Sequence, residues 1–389
     1  MAYLLPDAQF QCGDLPGSVP QDVSEILISP GLGLDLPLLK DAEARNIPVR
    51  SDIDLFMNAC EGRVLGITGS NGKSTVTKLV EGMLNAAGVT VAAGANLGTP
   101  ALDLLATSAE VFVLELSSFQ LERSDYLRLH AAVLLNMSPD HLDHHASIKD
   151  YAAAKERIYK CCDTAVVNRD ESDLFQQPGT SQRISFGLGL PASTDWGIVE
   201  CDDGQWIARG NFLVMPVAKL QLVGQHNLLN VLAAFAIAST LDVPVDGLVT
   251  AARLFTGLPH RMQRVPTSDG IVWINDSKAT NEAAALASIN SVNGRLILIA
   301  GGDAKGGDLE LLRATLERRD VSVIVLGKDR DLFHTQLGDV CEVRSVESLE
   351  KAVSMAAATA SSSDTVLLAP ACSSLDMFSG YGERGERFC

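Results

Sequence analysis

Residues 64–75 read Val-Leu-Gly-Ile-Thr-Gly-Ser-Asn-Gly-Lys-Ser-Thr, and this stretch decides the fold. Its apolar first half predicts a buried strand, and residues 73–87 predict the helix that follows the glycine-rich turn. The strict pattern G-x-x-x-x-G-K-[ST] is not met, because Ile67 stands where glycine is required. Gly69 and Gly72 still let backbone N–H groups turn toward phosphate oxygens, and a helix N-terminus favours an anion.

The segment therefore indicates a loop that binds nucleotide phosphates, with a plain glycine-rich turn as the alternative. Lys73 can neutralise the β- and γ-phosphates, and the hydroxyl of Ser74 can reach Mg²⁺. The residues predicted to bind ATP in this loop are Gly69, Ser70, Asn71, Gly72, Lys73, Ser74 and Thr75.

Short apolar runs alternate with amphipathic stretches along most of the chain, which predicts an α/β protein with parallel sheets and crossover helices. Ligands in such sheets bind at the carboxyl ends of the strands. Residues 183–215 break the pattern and predict a small antiparallel insertion with turns at 202–204 and 209–211. Further strands are predicted at 25–29, 111–116, 131–136, 271–275, 296–300, 321–326 and 365–369.

Length and composition describe an ordinary globular protein. At 389 residues the chain is too long for one core and should form two or three domains, with a hinge near Leu258 and Pro259. It is 47% hydrophobic and 20% charged. The apolar stretch at 231–238 falls short of the ~18 residues that suggest a membrane span, so it predicts a buried helix and no membrane insertion.

Charge and cysteine content narrow the function classes. A net charge of −17 argues against binding nucleic acid, which needs a basic face. Distant carboxylates are screened beyond ~8 Å, so local cations can still hold an anionic nucleotide. The eight cysteines form no zinc pattern or disulfide framework, and most are predicted to be reduced and buried. With no secretory signal visible at the N-terminus, these features predict a cytoplasmic protein.

Other polar residues are candidate metal ligands. Glu115 ends an apolar strand, where a carboxylate is costly unless it is paired or bound to metal. Taken alone it would indicate a partly exposed strand end, but with the glycine-rich loop on an earlier strand of the same sheet it is predicted to bind Mg²⁺. Ser117, Ser118 and Gln120 would line the same rim. His141 could face the phosphates, whereas a solvated loop is predicted for His144 and His145. Lys155 lies among alanines on a predicted helix, and residue chemistry alone places it on the surface.

Seven motifs in this order resemble those of the Mur ligases. They are Thr-Gly-Ser-Asn-Gly-Lys-Ser-Thr (68–75), Glu-Leu-Ser-Ser-Phe-Gln-Leu (115–121), Asp-His-Leu-Asp (140–143), Gly-Gln-His-Asn (224–227), Leu-Pro-His-Arg (258–261), Asn-Asp-Ser-Lys-Ala-Thr-Asn (275–281) and Ser-Leu-Asp (374–376). The last two are similar to those of the branch that adds D-glutamate. The resemblance runs from about Leu27 to the end of the chain. It implies three domains: a partial N-terminal UDP-substrate domain at 1–56, a central ATP-binding domain at 57–256 and a C-terminal amino-acid-binding domain at 257–389.

The resemblance also implies the reaction. ATP would phosphorylate the carboxylate of UDP-N-acetylmuramoyl-L-alanine, and the amine of D-glutamate would attack the acyl phosphate. The family's metal sites imply one Mg²⁺ at Ser74 and Glu115, and a second at His141 and a carbamylated Lys155, a modification that supplies an oxygen ligand. Asn96 would lie close to the reacting groups. The protein is predicted to act as a monomer on small molecules in peptidoglycan precursor synthesis, a part of cell-wall biogenesis.

The remaining site residues are also implied by the resemblance. Asn227, Asn230, Arg261 and Asp276 would contact the nucleotide. The residues expected around the acyl phosphate or D-glutamate are Ser117, Gln120, Lys278, Thr280, Lys305, Ser374, Leu375 and Tyr381. Residue chemistry alone allows helix caps for Ser374 and Thr280 and a solvated loop for Lys305. Since these residues lie on both sides of the predicted hinge, domain closure should complete the site.

The family pattern is not complete in this chain. The glycine-rich βαβ unit that helps to hold the uridine diphosphate has no counterpart before residue 25. We therefore expect a truncated version, or the product of a misplaced start, that binds the UDP-sugar weakly. Two alternatives to this function stay open. One is another amide ligase of the superfamily, such as a folylpolyglutamate synthase or a Mur ligase that adds a different amino acid. The other is a nucleotide-binding protein without ligase activity.

Overall fold

The computed structural model describes residues 13–33, 35–138, 145, 147–174, 182–222, 224–267 and 270–389. The chain forms two compact units, Met1–Leu254 and Phe255–Cys389. Their boundary lies two residues from the predicted end of the central domain, while the separation of residues 1–56 as a domain stays a prediction.

The first unit alternates strands and helices, as predicted. Its strands are β1 (Ile26–Ile28), β2 (Val49–Ser51), β3 (Arg63–Thr68), β4 (Val91–Ala95), β5 (Val111–Glu115), β6 (Leu129–Leu134), β7 (Cys162–Asn168), β8 (Gln182–Phe186), β9 (Trp196–Cys201), β10 (Gly204–Arg209) and β11 (Phe212–Pro216). Its helices are α1 (Pro37–Ala44), α2 (Asp52–Ala59), α3 (Lys73–Ala86), α4 (Ala101–Leu104), α5 (Ser118–Arg123), α6 (Ile148–Glu156), α7 (Gln225–Ala238) and α8 (Val245–Leu254).

A nine-stranded sheet organises this unit, in the order β11-β10-β9-β8-β7-β6-β3-β5-β4. Strand β3 lies between β5 and β6 and runs parallel to both. Ile67 pairs with Glu115 and Thr68 with Leu134, so the three strands end at one edge. The glycine-rich loop and Glu115 therefore come together, as the parallel-sheet prediction requires. A separate two-stranded sheet pairs β1 with β2.

The prediction of an antiparallel insertion was wrong in part. Strands β9, β10 and β11 are antiparallel, and both turns lie where the sequence placed them. Strand β8, however, pairs in parallel with β7 and, through Phe186 and Trp196, with β9. Because hydrogen bonds run on from β7 without interruption, the segment extends the central sheet instead of forming a separate insertion.

The second unit is a smaller α/β layer. Its strands are β12 (Gln263–Val265), β13 (Val272–Asn275), β14 (Leu296–Gly301), β15 (Val321–Leu326), β16 (Glu342–Ser345) and β17 (Thr365–Leu368). Its helices are α9 (Glu282–Asn290), α10 (Glu310–Leu316), α11 (Arg330–Leu337), α12 (Leu349–Thr359) and α13 (Tyr381–Phe388). The sheet order is β12-β13-β17-β14-β15-β16, with only β12 antiparallel to its neighbour.

Alternate residues of its strands pack into two cores, one on each face of the sheet. Leu296 and Leu298 join the core beneath α9, α10 and α11. Ile297 and Ile299 join the core beneath α12 and α13. Each fully buried aliphatic side chain contributes about 1.5–3 kcal/mol of folding free energy relative to an exposed one, so the cores on both faces stabilise the sheet. The C-terminal helix is part of this core, because Phe388 packs against Trp273.

Helix α7 is buried from Asn230 to Ala238, which confirms the predicted burial of residues 231–238. Within the residues that the structure describes, no helix is both long and apolar enough to cross a membrane. The prediction that most cysteines are buried was wrong for this part of the chain. Of its seven free cysteines only Cys60 and Cys372 are buried, and Cys161 and Cys389 are exposed.

Candidate active site

The loop after β3 forms a cradle for an anion. Gly69 has a φ of 154° and Gly72 a φ of 82°, conformations in which L side chains are strained. A Cβ atom on Gly72 would lie 2.3 Å from Oδ1 of Asn230. Gly72 is the N-cap of the 14-residue helix α3 and makes no side-chain cap hydrogen bond, and the N–H groups of a helix N-terminus favour an anion. These features fit a bound phosphate.

Residues that follow strand β6 hold the glycine-rich loop in place through hydrogen bonds. Asn136 accepts the Asn71 N–H at 2.8 Å through Oδ1 and donates Nδ2 to the Asn71 carbonyl at 3.0 Å. Ser70 Oγ donates to the Ser138 carbonyl at 3.0 Å and accepts the Ser138 N–H at 3.0 Å. The sequence analysis did not predict that Asn136 and Ser138 support the loop, although both polar residues closely follow an apolar strand.

Two lysines converge on the backbone of the loop. Lys73 Nζ donates to the carbonyls of Gly69 at 2.8 Å and Ser70 at 3.0 Å. Lys155 Nζ donates to the same Gly69 carbonyl at 3.0 Å from α6. Only 1% of Lys155 is exposed, so its predicted surface location, which rested on residue chemistry alone, was wrong. The alanines beside it allow α6 to pack closely, and this burial agrees with the family-based role.

A second correction concerns His145. It is 3% exposed instead of solvated, its Nε2 lies 3.1 Å from Ser118 Oγ, and its ring contacts those of Phe119 and Tyr151. Tyr151 OH in turn lies 3.2 Å from Ser70 Oγ. These aromatic contacts explain the burial, and nothing local in the sequence indicated them. His141 and His144 lie outside the described residues.

Glu115 has the features of a metal ligand. It is 3% exposed, and Oε1 accepts Nδ2 of Asn96 at 2.7 Å. Its other oxygen, Oε2, is buried and has no hydrogen-bond partner among the described residues. A buried carboxylate oxygen left unpaired is costly, and Mg²⁺ prefers such hard oxygen ligands. Ser74 is buried in the first turn of α3. The residues present therefore fit Mg²⁺ at the end of β5.

Asn96 is held at this edge by two hydrogen bonds to Glu115, next to a strained backbone position. Ala95, which precedes it, has a φ of 79°, and the Asn96 N–H donates to the Glu115 carbonyl at 3.0 Å. Non-glycine residues in this region cost about 1–2 kcal/mol and persist where surrounding contacts hold them. The contacts with Glu115 therefore maintain the strained turn and place the Asn96 amide against the Glu115 carboxylate.

Ser117 and Gln120 form a helix cap at the start of α5. Ser117 Oγ accepts the Gln120 N–H at 3.2 Å, and Gln120 Oε1 accepts the Ser117 N–H at 3.0 Å. This reciprocal arrangement stabilises helix N-termini. Their predicted contact with substrate stays a prediction.

In the second unit, the segment 275–278 is tied to the C-terminal helix. Arg384 is 2% exposed and donates to Ser277 Oγ at 3.0 Å, to the Ser277 carbonyl at 2.9 Å and to the Cys372 carbonyl. Burial lowers its pKa to about 10, so it stays charged at neutral pH. Asn275 Nδ2 contacts His260 Nδ1 at 3.0 Å and the Gly385 carbonyl at 2.9 Å. Arg384 and His260 were not predicted as site supports.

Asp276 and Lys278 follow on this segment. Burial raises the pKa of Asp276, while hydrogen bonds from Ser288 Oγ and the Met262 N–H and the charge of Arg261 act in the opposite direction. Lys278 Nζ lies 4.1 Å from the centre of the Tyr381 ring. The structure therefore brings predicted site residues together, Arg261 with Asp276 and Lys278 with Tyr381.

A cleft of about 540 Å³ lies beside α9 and contains two more predicted residues, Thr280 and Lys305. Ser374 is buried, whereas Leu375 is 69% exposed. Among the described residues no three His, Cys, Asp or Glu side chains form a metal cluster. Asn230 lies against the phosphate loop, the glycine-rich segment 69–75, because a Cβ on Gly72 would clash with its side chain.

Two family models match most of this chain. Residues 67–238 match the Mur ligase middle domain, and residues 260–372 match the Mur ligase glutamate ligase domain. The UDP-N-acetylmuramoylalanine–D-glutamate ligase of Pseudomonas aeruginosa is 43% identical over 98% of this chain and 87% of its own length. The corresponding enzyme of Pseudomonas savastanoi is 42% identical with the same coverage.

A solved structure shows the same fold at low sequence identity. The UDP-N-acetylmuramate-alanine ligase of Thermotoga maritima superimposes with a TM-score of 0.59 at 19% identity, covering 96% of this chain and 86% of its own. The predicted α/β fold class is thus confirmed. From the domain matches and the relatives of more than 40% identity, the chain belongs to the Mur ligase family.

Proposed function

We propose that the chain uses ATP to join D-glutamate to UDP-N-acetylmuramoyl-L-alanine in peptidoglycan precursor synthesis. The observation that carries the proposal is the meeting of the phosphate loop with the unpaired Glu115 oxygen at one sheet edge. The two Pseudomonas relatives bear the name of this activity at 42–43% identity.

Lys73 and the N–H groups at the start of α3 would bind the triphosphate and neutralise its charge. A carboxylate is a poor electrophile, and its phosphorylation brings together two anions, so positioning and charge neutralisation carry the catalysis. Lys73 is the cation that would neutralise the β- and γ-phosphates, and the N–H groups at the start of α3 would bind their oxygens. Gly72 has no Cβ, which allows Asn230 to pack closely against the loop.

Glu115 and Ser74 would hold Mg²⁺ beside these phosphates, and Asn96 would orient the Glu115 carboxylate. Bound there, Mg²⁺ would neutralise phosphate charge. A second ion would need an anionic ligand from Lys155, because an ammonium group cannot coordinate a cation, and we propose that Lys155 is carbamylated. His141 is the proposed second ligand.

The second unit would provide the groups for D-glutamate and the acyl phosphate. Lys278, Lys305, Thr280, Ser374 and Tyr381 offer cations and hydroxyls to a substrate that bears two carboxylates. Arg384 would act through the segment it anchors, since it contacts Ser277, next to Lys278. We further propose that the chain acts as a monomer in the cytoplasm.

Replacement of Glu115 by glutamine should raise the Mg²⁺ concentration for half-maximal activity about 10–100-fold, the usual cost of losing a metal ligand or its support. Glutamine keeps the shape and the contact with Asn96 but removes the charge. The measurement is a Mg²⁺ titration of phosphate release. Glu110→Gln is the matched control, because that exposed carboxylate precedes the same strand at its opposite end. An unchanged Mg²⁺ requirement in Glu115→Gln would contradict the assignment.

Phosphate release from ATP with UDP-N-acetylmuramoyl-L-alanine tests the function itself. We expect release that depends on D-glutamate and not on L-glutamate or other amino acids. Release with a different amino acid would indicate another member of the family. No release with any amino acid, together with measurable ATP binding, would leave a nucleotide-binding protein without ligase activity.

A further inference from the structure

Lys305 occupies a conformation that its neighbours must maintain. It has a φ of 53°, in the left-handed region that non-glycine residues rarely adopt. It lies in the loop between β14 and α10 and contributes to the cleft that also contains Thr280. Asp303, two residues earlier, accepts the Lys305 N–H through Oδ1 at 2.9 Å. A carboxylate bonded to the backbone two residues on stabilises such a turn.

Asp303 is itself fixed by contacts on two sides. Its Oδ2 accepts Lys328 Nζ at 3.1 Å, and the Lys328 N–H donates to Asp376 Oδ2 at 2.8 Å. The backbone of Asp303 exchanges hydrogen bonds of 3.0 Å with Ser373 in both directions. The turn that carries Lys305 is thereby linked to the segment that carries Ser374. Two predicted D-glutamate contacts thus share one support.

Asp329 holds the intervening residue in place. Its Oδ2 accepts the Ala304 N–H at 2.7 Å, and its own N–H donates to the Gly302 carbonyl at 3.0 Å. The Lys305 N–H and the Lys328 ammonium hold the pKa of Asp303 below its ordinary value. Asp303 is therefore ionised at neutral pH, and Lys328 balances its charge. The Lys305 ammonium is thus not required to neutralise Asp303.

We propose that Asp303 is a positioning residue for amino-acid specificity: it sets the Lys305 turn that receives a carboxylate of D-glutamate, and Lys328 holds Asp303 in place. The inference rests on the proposed function and adds a second layer to its substrate site. Because Asp303 acts through the Lys305 backbone, it should affect D-glutamate binding more than ATP use or turnover.

The test compares substitutions of Asp303 by steady-state kinetics. Asp303→Ala should raise KM for D-glutamate about tenfold, a loss of about 1.4 kcal/mol, with kcat, KM for ATP and the thermal unfolding midpoint nearly unchanged. Asp303→Asn keeps an oxygen that can accept the Lys305 N–H and should restore most of the affinity. Equal effects on D-glutamate and ATP, or no rescue by asparagine, would indicate a merely structural role and overturn the proposal.

Lys328→Gln gives a second measurement should Asp303→Ala fail to fold. It leaves the Asp303 backbone contacts intact and should raise KM for D-glutamate about threefold; an unchanged KM would overturn the role given to Lys328. Lys351→Gln is the matched control, because it removes an exposed lysine of α12 that pairs with Glu347. Absence of turnover in the unmodified chain would instead refute the proposed function, and this inference with it.

Discussion

Lys155→Arg is expected to reduce ligase turnover by at least about 100-fold although it keeps the positive charge, a loss at the upper end of that seen when metal-site groups are removed. Lys155 is almost fully buried, with Nζ 3.0 Å from the Gly69 carbonyl and 4.7 Å from the centre of the Tyr151 ring. A guanidinium group is larger and planar, and it cannot take up carbon dioxide to form the carbamate that we propose as a metal ligand.

Intact mass and activity would be measured together. The unmodified chain should carry the mass of one added carbon dioxide when kept in bicarbonate, and Lys155→Arg and Lys155→Ala should not. Lys160→Arg is a suitable control, because Lys160 is exposed one turn beyond α6. Normal turnover in Lys155→Arg would remove Lys155 from the chemistry. Activity loss without any mass difference would assign it only the support of the Gly69 carbonyl.

Lys155 also shows where sequence reasoning stops. The composition of α6 around it, three alanines and a lysine, is equally compatible with an exposed and a buried helix face. Burial was decided by packing of α6 against the phosphate loop, a contact between residues 86 positions apart. His145 is a similar case, since its aromatic neighbours include one from α5. Only the family resemblance indicated the role of Lys155, and no signal indicated the burial of His145.

Features set by local patterns were predicted well. The strand at 64–68, the turn and α3 follow from an apolar run, two glycines and a helical stretch, and the structure has β3 and α3 within one residue of the prediction. Strand β16 was missed, because Glu342–Ser345 contains one apolar residue and lies at the sheet edge. The anchoring of residue 277 by Arg384 was also missed, since it joins positions 107 apart.

Gly72→Ala is expected to weaken ATP binding at least tenfold and to lower the free energy of unfolding by about 1–3 kcal/mol. Two costs combine at this position. The backbone φ of 82° strains any L side chain, and the added Cβ would lie 2.3 Å from Asn230 Oδ1. Relief requires a shift of Asn230 or of the loop, and a shift of the loop moves the N–H groups that we propose bind the phosphates.

Gly88→Ala separates these two costs. Gly88 follows α3 with a φ of 85°, but a Cβ there would meet nothing within 4 Å. It should therefore lose about 1 kcal/mol of stability from backbone strain alone, with ATP affinity unchanged. The double variant Gly72→Ala/Asn230→Ala removes the clashing amide and completes a double-mutant cycle, measured by ATP titration and chemical unfolding.

The sign of the coupling energy between positions 72 and 230 then shows whether the clash displaces the loop or only the Asn230 side chain. If the clash displaces the loop, the two substitutions together should bind ATP better than the sum of the separate losses predicts. Additive losses would mean that Asn230 moves aside freely and that strain at Gly72 alone limits binding. Equal ATP affinity in Gly72→Ala and Gly88→Ala would contradict phosphate binding by the glycine-rich loop, because binding by these N–H groups depends on their position.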